Sequence, residues 1–193
     1  MEKAEEKKSL ILQTAGNIFT RFGLLKTTVD EIAKAAHIGK SSIYYYFKSK
    51  EDIYQEVVQK ESTILEGKIT AAIKEAKLPQ DKLKAFVHTR MKCMKELANI
   101  YSALKEDYLK HYQFIQKLRE DYDREEVKIV KNILQEGITK KIFMIADLEL
   151  TSLTVVTALK GLEYDWAVKT EEEVVEKNID NLLNILFYGI TKK

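Results

Sequence analysis

Between Ile11 and Ile53 the chain reads ILQTAGNIFTRFGLLKTTVDEIAKAAHIGKSSIYYYFKSKEDI, and no other stretch limits its fold as tightly. Ile11, Ala15, Ile18, Phe19 and Phe22 recur at i, i+4, i+7, i+8 and i+11, one face of a 3.6-residue helix. Gly23 follows at once, where a left-handed C-terminal cap wants a residue without Cβ. A second helix opens at Thr27-Thr28, and Thr28 with Glu31 has the spacing of a capping box. Val29, Ile32, Ala33 and Ala36 form its buried stripe, the alanines small enough to let another helix cross closely. A break at His37-Ile38-Gly39 precedes a third helix from about Lys40 to Phe47.

On that third helix Ile43 and Phe47 are four apart and are expected to face inward, against Ile18, Phe22, Ile32 and Ile38. This leaves Lys40, Ser41, Ser42, Tyr44 and Tyr45 outside, a face of one ammonium, two hydroxyls and two phenols. Such a face suits the major groove of DNA. Lysine and serine reach base edges or phosphates, and tyrosine adds a hydroxyl and apolar area for thymine methyls. The start of the second helix, with Thr27 and Thr28 beside Lys26, is expected to hold a phosphate through free amides and a positive dipole end. Lys48 and Lys50 are expected to clamp the backbone on the other side; Tyr46 fits core packing and phosphate contact equally well.

These residues resemble the DNA-binding domain of the TetR/AcrR family of bacterial transcriptional regulators. The resemblance rests on Phe22-Gly23, Thr27-Thr28-Val29, Ile32-Ala33, Lys40-Ser41-Ser42-Ile43-Tyr44, Tyr46-Phe47 and Ser49-Lys50-Glu51, and it covers about a quarter of the chain. His37 departs from it by replacing the usual turn glycine, Gly39 by replacing a common serine N-cap, and Leu24 by replacing a common aromatic. His37 is either a turn residue tolerating its backbone angles or a surface imidazole near phosphates.

One proline, seven glycines and no convincing alternation of apolar and polar residues imply an all-α chain, about nine helices in all. Residues 1–49 are expected to form the helix-turn-helix domain, and 50–193 a helical effector-binding and dimerisation domain. Residues 1–50 hold nine Lys/Arg against five Asp/Glu, a net of +4, whereas the whole chain is only +2. A basic head on a slightly acidic body fits a protein that touches nucleic acid at one end. The single cysteine, Cys93, excludes an internal disulfide and points to a reducing compartment. No charged-then-apolar leader is seen, and apolar runs fall far short of the ~18 residues that span a bilayer. The expectation is a cytoplasmic, DNA-associated protein without a membrane partner.

Further helices are predicted over about Lys50–Ala76, Gln80–Ala98, Ile100–Lys110 and Gln113–Glu136, the last capped by Gly137. Two more follow, from an Asp147 N-cap to about Val168 and from Thr170 to about Ile190. These last two carry apolar stripes, including Val155, Leu159 and Leu162 on one and Ile179, Leu182 and Leu186 on the other. The resemblance implies that this pair docks with its two-fold copy as a four-helix bundle. A dimer is also what lets two readers ~34–36 Å apart enter successive major grooves of a palindromic operator. The resemblance further implies a small-molecule effector held among the middle helices, whose binding re-aims the readers and releases a repressor. Candidate lining residues are Phe86, Arg90, Met91, Met94, Tyr101, Tyr108, His111, Tyr112, Tyr122 and Trp166, although residues at such helical spacing are more often plain core. Such an effector has to favour the DNA-incompetent spacing.

An enzyme is the main rival. The Glu-x-x-His pairs of di-iron bundles are missing, and Asp107 with His111 supplies only two ligands. No phosphate loop, nucleophile elbow or Cys-x-x-Cys occurs, so neither catalysis, cofactor nor metal is expected. A helical interaction protein that has lost DNA binding is the other rival, and the intact polar-aromatic face of the third helix argues against it.

Overall fold

The computed structural model describes residues 2–106, 109, 110, 112–169 and 172–189, with side chains described for all of these except residues 2, 3, 94, 95, 104, 105, 162–169, 172 and 175. Among the described residues there are nine α-helices and no strand. They are α1 (Glu2–Lys26), α2 (Val29–Ala35), α3 (Lys40–Tyr46), α4 (Lys50–Glu75), α5 (Pro79–Glu96), α6 (Ala98–Lys105), α7 (Gln113–Thr139), α8 (Leu148–Lys169) and α9 (Glu172–Tyr188). The chain divides into two compact units. One joins Met1–Ile64 to Leu97–Phe114; the other joins Leu65–Glu96 to Ile115–Lys193.

In the first unit α1, α2 and α3 close over Ile11, Ala15, Phe19, Leu24, Ile32, Ala33, Ala36, Ile43 and Phe47, all buried. Gly23 breaks α1 at φ 75, ψ 166, a region open essentially to glycine alone. The break moves the apolar register by a step. Leu24 turns into the core, while Phe22, expected inside, stands half-exposed under the Arg21 guanidinium at 5.1 Å.

The α2 capping box forms as predicted: Glu31 N–H donates to Thr28 Oγ1 and Thr28 N–H donates to the Glu31 carboxylate. At the other end of α2, His37 sits at φ 55. Its N–H donates to the Lys34 carbonyl and that of Ile38 to Ala33, the paired bonds of a Schellman closure. The turn therefore does require a left-handed residue, and histidine fills the place where glycine is unstrained.

α4 starts on Ser49, whose hydroxyl accepts from Asp52 N–H (3.1 Å). Deeper in this unit Tyr54 packs edge-on against Phe19 at 5.0 Å and donates its hydroxyl to the Asn99 carbonyl at 3.1 Å. Asn99 Nδ2 donates to the Gly16 carbonyl, Thr20 Oγ1 and Glu61 Oε1, while Glu61 Oε2 accepts from Ile100 N–H. The uncapped start of α6 is thus held by a carboxylate from α4, a charge its dipole favours.

In the second unit α5 packs on α8 and α9. Leu83, Phe86, Val87 and Met91 of α5 share a core with Val130, Ile133, Leu134, Val155, Val156, Leu159, Ile179 and Leu183. Gly137 does not cap α7, which runs on to Thr139; the left-handed residue is Lys141, at φ 58. Gly137 is small for packing: a Cβ there would overlap the Phe143 ring, itself stacked on Phe187 at 5.9 Å. Asp147 caps α8 as predicted, accepting from Leu150 N–H at 2.9 Å.

Candidate nucleic-acid interface

The outward face of α3 follows from what α3 buries. Ile43 and Phe47 are covered, so helical geometry turns Tyr44 and Tyr45 outward, 50% and 80% exposed. Lys40 and Ser41 are exposed with them, Ser42 and Tyr46 half-buried. Tyr45 and Tyr46 meet edge to face with ring centres 4.9 Å apart, and Tyr45 stays largely exposed. Gly39 caps α3 without a side-chain bond. Lys40 reaches across to α2, its Nζ 2.7 Å from Asp30 Oδ2. That hydrogen bond holds the Lys40 ammonium above the usual lysine range.

Two residues expected to touch the DNA backbone have other partners. Thr27 is 1% exposed and donates its hydroxyl to the Gly23 carbonyl at 2.8 Å, closing the break in α1. Lys50 donates to the carbonyls of Leu24 (2.9 Å), Leu25 (3.2 Å) and Thr27 (3.0 Å). An ammonium has three N–H donors, so this set engages all of them. The carbonyls left without a helical partner after Gly23 attract a cation that sequence spacing assigned to phosphate. Thr28 stays exposed, though its hydroxyl donates to Glu31 at 2.8 Å. Those bonds hold the Glu31 carboxyl below its ordinary range.

The candidate effector residues separate. Phe86, Arg90 and Met91 are buried in the second unit, and Tyr122 lies there with its ring 6.0 Å from the Arg90 guanidinium. Tyr101 and Tyr112 belong to the first unit, where Tyr112 meets Phe114 at 5.9 Å. Tyr108 and His111 lie outside the described residues, as do the side chains of Met94 and Trp166. Sequence reasoning missed the partner of Arg90. Glu126 of α7 is 3% exposed and takes the guanidinium in two bonds, Arg90 Nη2 donating to Oε2 at 3.1 Å. The signal was present: Glu126 falls in the apolar stripe Tyr122, Val130, Ile133, Leu134 at four-residue spacing, where a lone charge implies a buried partner. His88 shares Asp180 with Lys84, at 3.2 and 2.8 Å.

The residues expected at a dimer interface differ in how far the chain itself covers them. Val155, Leu159 and Ile179 are at most 7% exposed, covered by the chain's own core, and Leu182 is half-buried. Leu186 is 42% exposed; the Leu162 side chain is outside the described residues. α8 has an inner apolar stripe and an outer one of leucines and small residues. The outer one is Leu150, Leu153, Thr154, Thr157, Ala158 and Gly161, all exposed. Among the described residues no cluster of three His, Cys, Asp or Glu is placed to hold a metal, and no helix is long and apolar enough to cross a membrane.

Residues 11–57 match the family model described as bacterial regulatory proteins, tetR family. The HTH-type transcriptional regulator YhgD of Bacillus subtilis is 26% identical over 184 residues, 93% of this chain and 94% of that protein. The HTH-type transcriptional repressor KstR2 of Mycolicibacterium smegmatis is 29% identical over 68% of this chain and 65% of its own length. A Clostridium perfringens protein described as a fatty acid metabolism regulator superposes with a TM-score of 0.70 at 29% identity, over 95% of this chain and all of the other. A helix-turn-helix unit with an exposed polar-aromatic third helix, in a chain otherwise made of long helices, defines a DNA-binding transcription regulator. Over residues 11–57 the chain is similar to the tetR family of bacterial regulatory proteins, and its relatives and structural neighbours are transcriptional regulators.

Proposed function

We propose that this protein is a homodimeric repressor that binds a palindromic operator and is released by a small, at least partly apolar effector. The observation that carries the reading is α3, where buried Ile43 and Phe47 hold Tyr44 and Tyr45 outward beside Lys40 and Ser41. The contact set proposed for DNA is Thr28, Lys40, Ser41, Ser42, Tyr44 and Tyr45. Thr27 and Lys50 leave that set because their polar atoms serve α1. By role the chain then divides into a reader over 1–49 and an effector and dimer body over 50–193, which opens with α4.

Dimerisation is supported by the uncovered outer stripe of α8, together with Ile185 and Leu186 of α9, 44% and 42% exposed. Repression is the sense of regulation that the KstR2 relative's name carries. The C. perfringens relative, described as a fatty acid metabolism regulator, makes fatty acids and their derivatives the first effector class to try. Phe86, Met91 and the Arg90–Glu126 pair, all buried in the second unit, are the groups of the body around which such a site is proposed.

The test is selection of bound fragments from a random DNA pool by the purified protein, followed by binding at increasing salt. A palindrome with half-sites a whole number of helical turns apart is expected. With roughly 6–10 phosphate contacts per dimer, affinity should fall about 10³–10⁵-fold between ~50 and ~200 mM salt. A flat salt curve and no enriched sequence would refute the reading.

A further inference from the structure

The reader face carries one carboxylate that its chemistry does not call for. Asp30, the second residue of α2, meets Lys40, the first of α3, at 2.7 Å, with the two side chains 56% and 49% exposed. An exposed pair of this kind adds little to stability. On a surface that approaches phosphates, a carboxylate weakens backbone binding by repulsion. It gains on DNA only by meeting a hydrogen-bond donor, and in the major groove the donors are cytosine N4 and adenine N6.

We propose that Asp30 and Lys40 act together to read one G·C base pair in each half-site, an inference that rests on the DNA-reading role proposed above. Lys40 places one N–H on Asp30 Oδ2 and keeps two for guanine O6 and N7. Asp30 Oδ1, which has no partner among the described residues, accepts from cytosine N4. A G·C pair sets two acceptors and then a donor across the groove, and the couple offers two donors and then an acceptor. An A·T pair places its donor between single acceptors, so one ammonium N–H would go unanswered. The salt bridge pre-sets the spacing of the two groups, and Asp30 becomes a specificity residue that the polar-aromatic face alone does not reveal.

The experiment repeats the DNA selection with full-length wild type, Asp30→Ala and Lys40→Gln, reading base preference position by position. Both variants should lose preference at the same G·C pair, by about 5- to 150-fold, with the remaining positions unchanged. Two substitutions on different helices converging on one base pair is a result that a merely supporting role for either residue does not produce. Uniform weakening, an unchanged profile, or loss at two unrelated positions overturns the inference while leaving the reader intact. If the wild type enriches no sequence, the DNA-reading role fails, and this inference with it. Because Asp30 also lies in the first turn of α2, where a carboxylate favours the helix, thermal unfolding accompanies each variant. Asp30→Ser replaces it should Asp30→Ala not fold.

Discussion

Lys50 shows how far one side chain's role depends on its neighbours. By spacing it belongs to the reader, but its ammonium gathers the carbonyls of Leu24, Leu25 and Thr27 at the end of α1 and the turn into α2. Hydrogen bonds from a charged donor contribute more than neutral ones, so Lys50→Met should lower unfolding stability by about 2 kcal/mol. Urea denaturation checks this, and a variant of wild-type stability with weakened DNA binding would return Lys50 to the phosphate clamp. Arg90 and Glu126 depend on each other instead: each buried charge is compensated by the other in two bonds, and a single substitution there removes that compensation.

At the scale of elements, the short helices of the reader depend on their ends. α2 has seven residues, too few to stand alone, and its Thr28–Glu31 box satisfies amides that would otherwise face water. Glu31 titrates below its ordinary 4.5 because Thr28 bonds the charged form. A depressed carboxylate supports folding fully above its unfolded pKa, and the support is lost as pH falls through the folded value. Glu96, Asp180 and Glu136 are lowered in the same sense by Lys68, Lys84 and Lys140 respectively, with Lys82 adding to the last. The protein should therefore lose stability on acidification below the normal glutamate range. Glu31→Gln should flatten part of that loss, read as the unfolding midpoint against pH; an unaltered slope would remove the box from the account.

At the scale of the molecule, the dimer proposed above uses the outer side of α8 to bring a second reader to the duplex. Leu150 and Leu153 are 60% and 52% exposed on a stripe continued by Thr157, Ala158 and Gly161, small residues that allow close helix approach. Leu153→Arg should yield a folded monomer in sedimentation and abolish operator binding, since one reader spans too few base pairs for tight, selective binding. A variant that still sediments as a dimer would move the interface elsewhere. Because the inner residues Val155 and Leu159 already serve the chain's own core, substituting them should reduce stability before it changes assembly.

The sequence by itself determined the helix count, most helix boundaries and the polar-aromatic face of α3, because helical periodicity and capping are local: their partners lie within four residues. It also determined the Thr28–Glu31 box and the Asp147 cap, for the same reason. Only the tertiary structure decided which of two apolar sides of α8 is covered, that Phe22 yields its inward place to Leu24, and that Gly137 is small to admit Phe143. It alone joined Arg90 to Glu126, 36 residues away, and Asn99 to Gly16, 83 residues away. Each of these depends on two segments arriving at one place in space, and the periodicity of either segment carries no record of the other.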